Sequence, residues 1–350
     1  MRSSALVGWF ADIGLADRLA VGGKGGSLGE LTRAGIEVPP GFVLKTAAFE
    51  RFIDELERES PVRERVESLD AEDLGAMRAL SAQLRARFAA GPLPADVAEA
   101  IASAVEELNI GAAESGVAVR SSATTEDASD ASFAGLQDTY LWVKRQQVQD
   151  RVRSCWGSLY SVESMSYRRK RDFKEKNVAM AVVVQTMVDA RTAGVMFTRS
   201  PLTGDRSVMT IEGSWGLGSA VVGGEVTPDR WVVGKITGEI SVREISTKLI
   251  RHAAAAAGGI ETVPVPEDLQ RAACMSDDEI ERLRAIGRRV ERHYGRSQDI
   301  EWAVKRGSEE ILLLQSRPET VWSAQESAPV GRAATHPSAH VLSIFGGRRR

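Results

Sequence analysis

Three segments of this 350-residue sequence predict an α+β fold: a strand–loop–strand unit at 117–143, an apolar run at 179–188, and a hairpin with one polar face at 299–317. All three are too short, or alternate too strictly, for helices, and stretches with helical periodicity separate them. The composition fits a globular chain, since 43% hydrophobic residues supply a substantial core. A net charge of -3 excludes a dedicated nucleic-acid binder, which would carry a basic balance across the domain. Cys155 and Cys274 lie far apart, with no CxxC spacing and no histidine close by in sequence, so neither a disulfide framework nor a zinc site is expected. No apolar run approaches the roughly 18 residues of a membrane span. Asp12 interrupts what would be the apolar region of a secretory signal, so a soluble, cytoplasmic chain is expected.

Taken in order, Val21-Gly22-Gly23-Lys24-Gly25-Gly26-Ser27 precedes an amphipathic helix with Leu28, Leu31 and Ala34 on one face, stopped at Gly35 and followed by a strand near Phe42. Free amides at the helix start would favour an anion, with Lys24 adding a mobile positive charge. A structural turn that needs flexible glycines is equally open. Residues 47–108 are helical and charge-rich, broken at Pro92 and Pro94, and read as scaffold.

The 117–143 unit places Val117, Val119 and Ser121 on one side of a strand and Arg120 on the other, so the guanidinium is expected to be presented rather than buried. An acidic, hydroxyl-rich loop follows. Ala131-Ser132-Phe133-Ala134-Gly135 then lets backbone amides approach an anion, Gly135 being the natural contact. An ordinary hairpin with a long solvated loop remains the alternative. Around 148–174 the pattern is helical, and Arg168-Arg169-Lys170-Arg171 reads as a solvated face.

Residues 179–188 read as a buried strand interrupted by Gln185, whose amide either satisfies neighbouring backbone or reads a ligand such as an adenine edge. Strands at 194–198 and 208–212, a glycine-rich Gly213-Ser214-Trp215-Gly216-Leu217-Gly218, and a hairpin turning at Thr237-Gly238 follow. Ser276-Asp277-Asp278-Glu279 is a capping box opening a helix that ends at Gly295.

In the last hairpin, pairing Glu301 with Gln315 pairs Asp299 with Arg317. Alternation then puts these four on one face and Ile300, Trp302, Val304, Leu312 and Leu314 on the other. Glutamate and glutamine oxygens on adjacent strands are hard ligands of the kind Mg²⁺ accepts beside substrate phosphates, and Arg317 suits a phosphate. A surface ladder from Asp299 to Arg317 is the competing reading.

Together GGKGGSLGEL, AVRSSATTEDASDASFAGLQDTYL, VVVQTMV, GVMFTRSPLTGD, EGSWGLGSAVVGGEVTPD and DIEWAV with LLLQSRP resemble the N-terminal ATP-grasp nucleotide-binding domain of phosphoenolpyruvate synthase, pyruvate phosphate dikinase and rifampicin phosphotransferase, over roughly residues 10–320. The resemblance implies two mixed α/β lobes, 1–190 and 191–322, with nucleotide in the cleft between them and a flexible tail at 323–350. It implies that Lys24, Arg120, Gly135, Thr139, Gln185, Glu301, Gln315 and Arg317 hold ATP and its Mg²⁺. Lys24, Arg120 and Arg317 would act on the phosphates, Gly135 and Thr139 in the loop over them, Gln185 toward the base, and Glu301 and Gln315 on the metal.

Asp299 stands where the dikinases also carry an acid. Full-length relatives continue into a swivelling domain with a catalytic histidine. His252 and His293 fall in helical or connecting segments here, and His336 and His340 in a tail without a motif. The resemblance therefore implies an ATP-dependent phosphotransferase subunit that acts on a histidine of a separate swivelling-domain subunit and, through it, on a small-molecule acceptor, as in phenylphosphate synthase. A non-catalytic ATP-binding regulatory subunit is the rival of different class.

Overall fold

A run of valines without a polar break makes a strand that buries both faces, and the central strand of the first sheet, with Val182, Val183 and Val184, is one. The computed structural model describes residues 5–70, 72–108, 116–124, 127–128, 131–132 and 138–322. Strands β1 (Val7–Trp9), β2 (Gly41–Leu44), β3 (Val117–Ala123), β4 (Thr139–Val143) and β5 (Met180–Thr186) form an antiparallel sheet in the order β1-β2-β5-β3-β4. Period two divides its side chains. Phe42, Leu44, Val117, Val119, Val182 and Val184 pack on Phe49, Phe52, Phe88 and Trp156 of a helical layer, while Val43, Ala181 and Val183 pack on Val21 and Leu28.

That helical layer comprises α2 (Thr46–Glu57), α3 (Leu74–Ala90), α4 (Ala95–Glu107), α5 (Val148–Ser158) and α6 (Val162–Lys170); α1 (Arg18–Arg33) covers the other face. Inside α1 the backbone leaves helical geometry at Gly22, with φ +71°, and a Cβ there would lie 2.1 Å from the Ser122 carbonyl oxygen. Only glycine lets the helix start approach β3 this closely.

The second sheet contains β6 (Ala190–Phe197), β7 (Val208–Trp215), β8 (Asp229–Gly234), β9 (Ile240–Glu244), then, after a separate ladder of β10 (Ile250–Ala254) and β11 (Ile260–Pro264), β12 (Gln298–Lys305) and β13 (Ile311–Pro318). Its order is β9-β8-β7-β6-β12-β13, antiparallel throughout. Met196, Met209, Ile211, Trp231, Ile300 and Trp302 pack under α7 (Asp277–Tyr294), which starts at the Ser276–Glu279 capping box and stops at left-handed Gly295. Leu31 joins this core while Leu28, three residues earlier, belongs to the other, so α1 is wedged between the sheets.

Several expectations are corrected here. The pairs Glu301–Gln315 and Asp299–Arg317 form, but the register shifts between Glu301 and Trp302 so that Leu314 has no partner in the ladder. This bulge flips the alternation beyond it. Leu313, not Leu312 or Leu314, shares a core with Trp302, and Leu312 and Leu314 lie on the opposite face with Ala303. Arg168 is not solvated: it is buried, bonded to both Glu175 carboxylate oxygens at 2.8 and 3.1 Å and to the Leu159 carbonyl oxygen. His252 is a strand residue, in β10, a ladder the sequence reading did not separate from its surroundings.

Candidate functional site

Leu314, which the bulge turns away from α7, lies on the wall of a cavity of about 600 Å³ between the sheets. Met187, Val188, Ala193, Leu217, Ala303 and Leu314 are part of its apolar wall; Arg120, Thr139, Gln185, Ser219 and Glu301 are among its polar groups, with Arg151 a second arginine in the lining. The lining is that of a small-molecule site, mostly apolar with a few convergent polar atoms.

Arg120 is the centre of the polar part. It leaves β3 on the side away from Val119, but it is buried at 8% exposure, contrary to the expectation of a presented guanidinium. The reason is the second sheet. Nη1 donates to the Leu314 carbonyl oxygen at 2.8 Å, and Nη2 donates to Glu301 Oε2 at 3.2 Å and Gln315 Oε1 at 2.5 Å. The bulge explains the first contact, because the one residue left out of the ladder offers its carbonyl to the arginine. Arg120 Nε is buried without a hydrogen-bond partner.

Thr139 lies directly opposite Arg120 in the ladder, as the exposed first residue of β4 rather than within a loop. Gln185, 2% exposed, donates from Nε2 to the Pro39 carbonyl oxygen at 3.2 Å and also lines the cavity, so the backbone role and a place at the wall coexist. Gln315 reaches the site through Arg120. Lys24 and Arg317 stand outside the lining. Lys24 occupies the turn just after the Gly22 kink, where the Gly25 amide already donates to Ser122 Oγ at 3.1 Å, so that amide is not free for an anion. Arg317 Nε lies 3.4 Å from Asp299 Oδ2, an ion pair across the hairpin. Burial pushes the Asp299 carboxyl up to about 6 against the opposing pull of Arg317, with Glu319 adding to the rise. Gly135 lies outside the described residues, as do His336 and His340.

Two features escaped the sequence reading. The β10–β11 hairpin leans across the cavity: Gly259 N donates to the Trp142 carbonyl oxygen at 3.0 Å and Lys144 Nζ to the Ala256 carbonyl oxygen at 2.8 Å, and Gly258, Gly259 and Ile260 line the wall. His252 also sits under Ser219, with Nδ1 2.8 Å from Ser219 Oγ and Nε2 3.2 Å from Glu225 Oε2. No local pattern announces either. The bulge did leave a trace: Ile311-Leu312-Leu313-Leu314 is an unbroken apolar run opposite a strand that alternates.

Among the described residues no cluster of three or more histidine, cysteine, aspartate or glutamate side chains is arranged to hold a metal ion. A nucleotide-bridging cation needs less from the protein, since Mg²⁺ commonly takes one or two side-chain oxygens and completes its shell with phosphate and water. Paired Glu301 and Gln315 offer two such oxygens, and the buried Arg120 Nε, a donor without an acceptor, suits the phosphate that would bring the cation.

An apolar cavity between two antiparallel sheets, with an arginine and a paired glutamate and glutamine at one end, is consistent with a nucleotide-binding domain of mixed α and β structure. The family model described as pyruvate phosphate dikinase, AMP/ATP-binding domain, matches residues 18–336, and the chain belongs to that family. ATP is the family's nucleotide, with Mg²⁺ its usual ion. The chain is 42% identical over 317 residues to a probable phosphoenolpyruvate synthase of Methanothermobacter thermautotrophicus, covering 90% of this chain and 46% of that protein. It is 40% identical to a probable phosphoenolpyruvate synthase of Methanocaldococcus jannaschii, covering 91% of this chain and 27% of that protein. It is 41% identical to a rifampicin phosphotransferase of Streptomyces sp, covering 91% of this chain and 36% of that protein. The chain thus spans less than half the length of these curated relatives. No helix among the described residues is long and apolar enough to cross a membrane.

Proposed function

We propose that the two sheets are the lobes of an ATP-grasp nucleotide site, divided near residue 190, and that the chain binds Mg·ATP between them and passes its β,γ-diphosphate, or a phosphoryl group, to a histidine on a swivelling-domain partner. A small-molecule acceptor would be served through that partner. The observation that carries the reading is the cavity itself, whose apolar wall suits a base and whose polar end gathers Arg120, Glu301 and Gln315 within hydrogen-bond distance.

In this reading Gln185 and the Met187–Leu217 wall orient the base. Arg120, with Lys24 and Arg317, neutralises charge on the transferring group; Thr139, beside Arg120, and Gly135 approach the phosphates. Glu301 and Gln315 would hold Mg²⁺, which when bound offsets phosphate charge. Positioning and charge neutralisation are most of what phosphoryl transfer requires, so none of these side chains has to act as nucleophile.

An acceptor outside the described residues is supported by the two histidines within them. His252 has both ring nitrogens engaged, His293 Nε2 lies 2.7 Å from Glu30 Oε1, and neither lines the cavity. The test mixes the protein with ATP radiolabelled at the β position and a histidine-bearing swivelling domain from a phosphoenolpyruvate synthase. Label on the partner's histidine is the expected result. Rapid sustained ATP turnover without any partner, or label on His336 of this chain, would overturn the split arrangement.

A further inference from the structure

We infer that the Arg120 guanidinium and a divalent cation are mutually exclusive occupants of one seat, so that the cation enters only when a nucleotide phosphate draws the arginine away. The inference rests on the proposed nucleotide site. Glu301 Oε2 and Gln315 Oε1, oxygens of the two side chains proposed for the metal, accept hydrogen bonds from the same nitrogen, Arg120 Nη2. A cation taking those oxygens would stand against a guanidinium held in place from its other end by Leu314. Two positive centres at contact distance in a partly buried site repel strongly, because little solvent screens them.

The arrangement is also incomplete in a way that a phosphate would correct. Nη1 and Nη2 are engaged while Nε is buried without a partner. A guanidinium binds phosphate best through two parallel N–H groups, so a phosphate that engages Nε together with a terminal nitrogen offers Arg120 a better set of bonds than Glu301 and Gln315 provide. The exchange frees both metal-directed oxygens at the moment when phosphate oxygens arrive to complete the cation's shell. Arg120 is in this respect a positioning residue for the metal, and nucleotide and cation bind as a unit rather than cation first. Leu314, the residue that the β13 bulge leaves out of the ladder, is the one whose carbonyl holds the guanidinium in the seat.

The test uses Mn²⁺ as the probe and electron paramagnetic resonance of the free ion as the readout, on the whole chain without nucleotide. Wild-type protein is expected to show no Glu301-dependent Mn²⁺ site, whereas Arg120→Met should bind Mn²⁺ at least tenfold more tightly than wild type. Adding Glu301→Gln to Arg120→Met should abolish the gain. A wild-type site of equal affinity that Glu301→Gln removes would overturn the inference, and this arm needs no Arg120 variant to fold. Calorimetry of ATP binding to wild type in the presence of Mg²⁺ separates the two levels. Absence of binding defeats the nucleotide site and the inference with it; ATP binding together with a Glu301-dependent Mn²⁺ site in nucleotide-free wild type defeats the inference alone.

Discussion

The first sheet is tied across the cavity to the second sheet at one place and to the β10–β11 ladder at another, and the two ties differ in kind. At one end a single buried side chain, Arg120, spans from β3 to β12 and β13 and carries a full charge into contact with a carboxylate, an amide and a carbonyl. At the other end the tip of the β10–β11 hairpin meets β4 through one backbone amide and one lysine, both bonds ending on neutral carbonyl oxygens. A charged, dry tie responds to the charge of whatever enters the cavity. An exposed tie, whose one charge is the solvent-screened Lys144 ammonium, responds more to shape and to local strand flexibility. Here the charge-sensitive tie sits at the metal-directed oxygens, and the shape-sensitive one lies along the β10–β11 side of the wall.

The comparison is broken most sharply by Glu301→Gln. This change keeps the side chain's shape and a bond to Arg120 but removes the charge, so transfer to the partner histidine should fall about a hundredfold or more while the thermal melt moves little. Equal transfer at saturating Mg²⁺ would show that the charged tie is structural only. Next comes Arg120→Met, which leaves Glu301 and Gln315 facing an apolar side chain. Glu301 is one-third open to water, which screens the loss, so a destabilisation of about 2 kcal/mol in a urea titration is expected rather than the larger cost of a fully buried pair.

The hairpin tie should yield less. Gly259 has φ +81° with open space around its Cβ position, so Gly259→Ala meets only backbone strain, about 1 kcal/mol, and should loosen the tip in hydrogen exchange without touching the metal-directed end. Lys144→Ala removes an exposed bond and should cost about 0.5 kcal/mol. Glu212 belongs to neither tie and calibrates both. Burial holds its carboxyl above the ordinary range, against the pull of Arg230. The folded protein therefore favours the protonated form, and stability is lost as pH rises through the folded value. Glu212→Gln should be more stable than wild type at pH 8, with the gain vanishing below about pH 4. A gain that grew toward low pH would reverse the assigned sign.

What the sequence disclosed follows the range of the interactions involved. The Ser276 capping box, the Gly295 stop and the turn at Gly238 were legible because each is decided within a few residues. The Asp299–Arg317 register was legible because an alternating face admits one pairing. Burial of Arg120 was not, since it depends on a bulge 194 residues away, and strand alternation states only which side a residue leaves, not what meets it there. Arg168 illustrates the same limit: a run of four basic residues resembles a solvated face until Glu175 folds back to receive one of them. The β10–β11 ladder was missed because Ala253, Ala254 and the following alanines carry little strand preference, and its ordering comes from contact with Trp142 and Lys144.

The placement of the two cysteines has a use unrelated to catalysis. Cys155 is packed in the core between the first sheet and its helices, Cys274 in the core between the second sheet and α7, both with zero exposure. Burial raises both thiols well above their ordinary range, beyond reach of a thiolate-seeking reagent at neutral pH. Each half of the molecule thus carries one silent thiol that becomes reactive only when its own core opens. Labelling rates read peptide by peptide would time the breathing of the two halves separately, in a single sample and without an introduced probe.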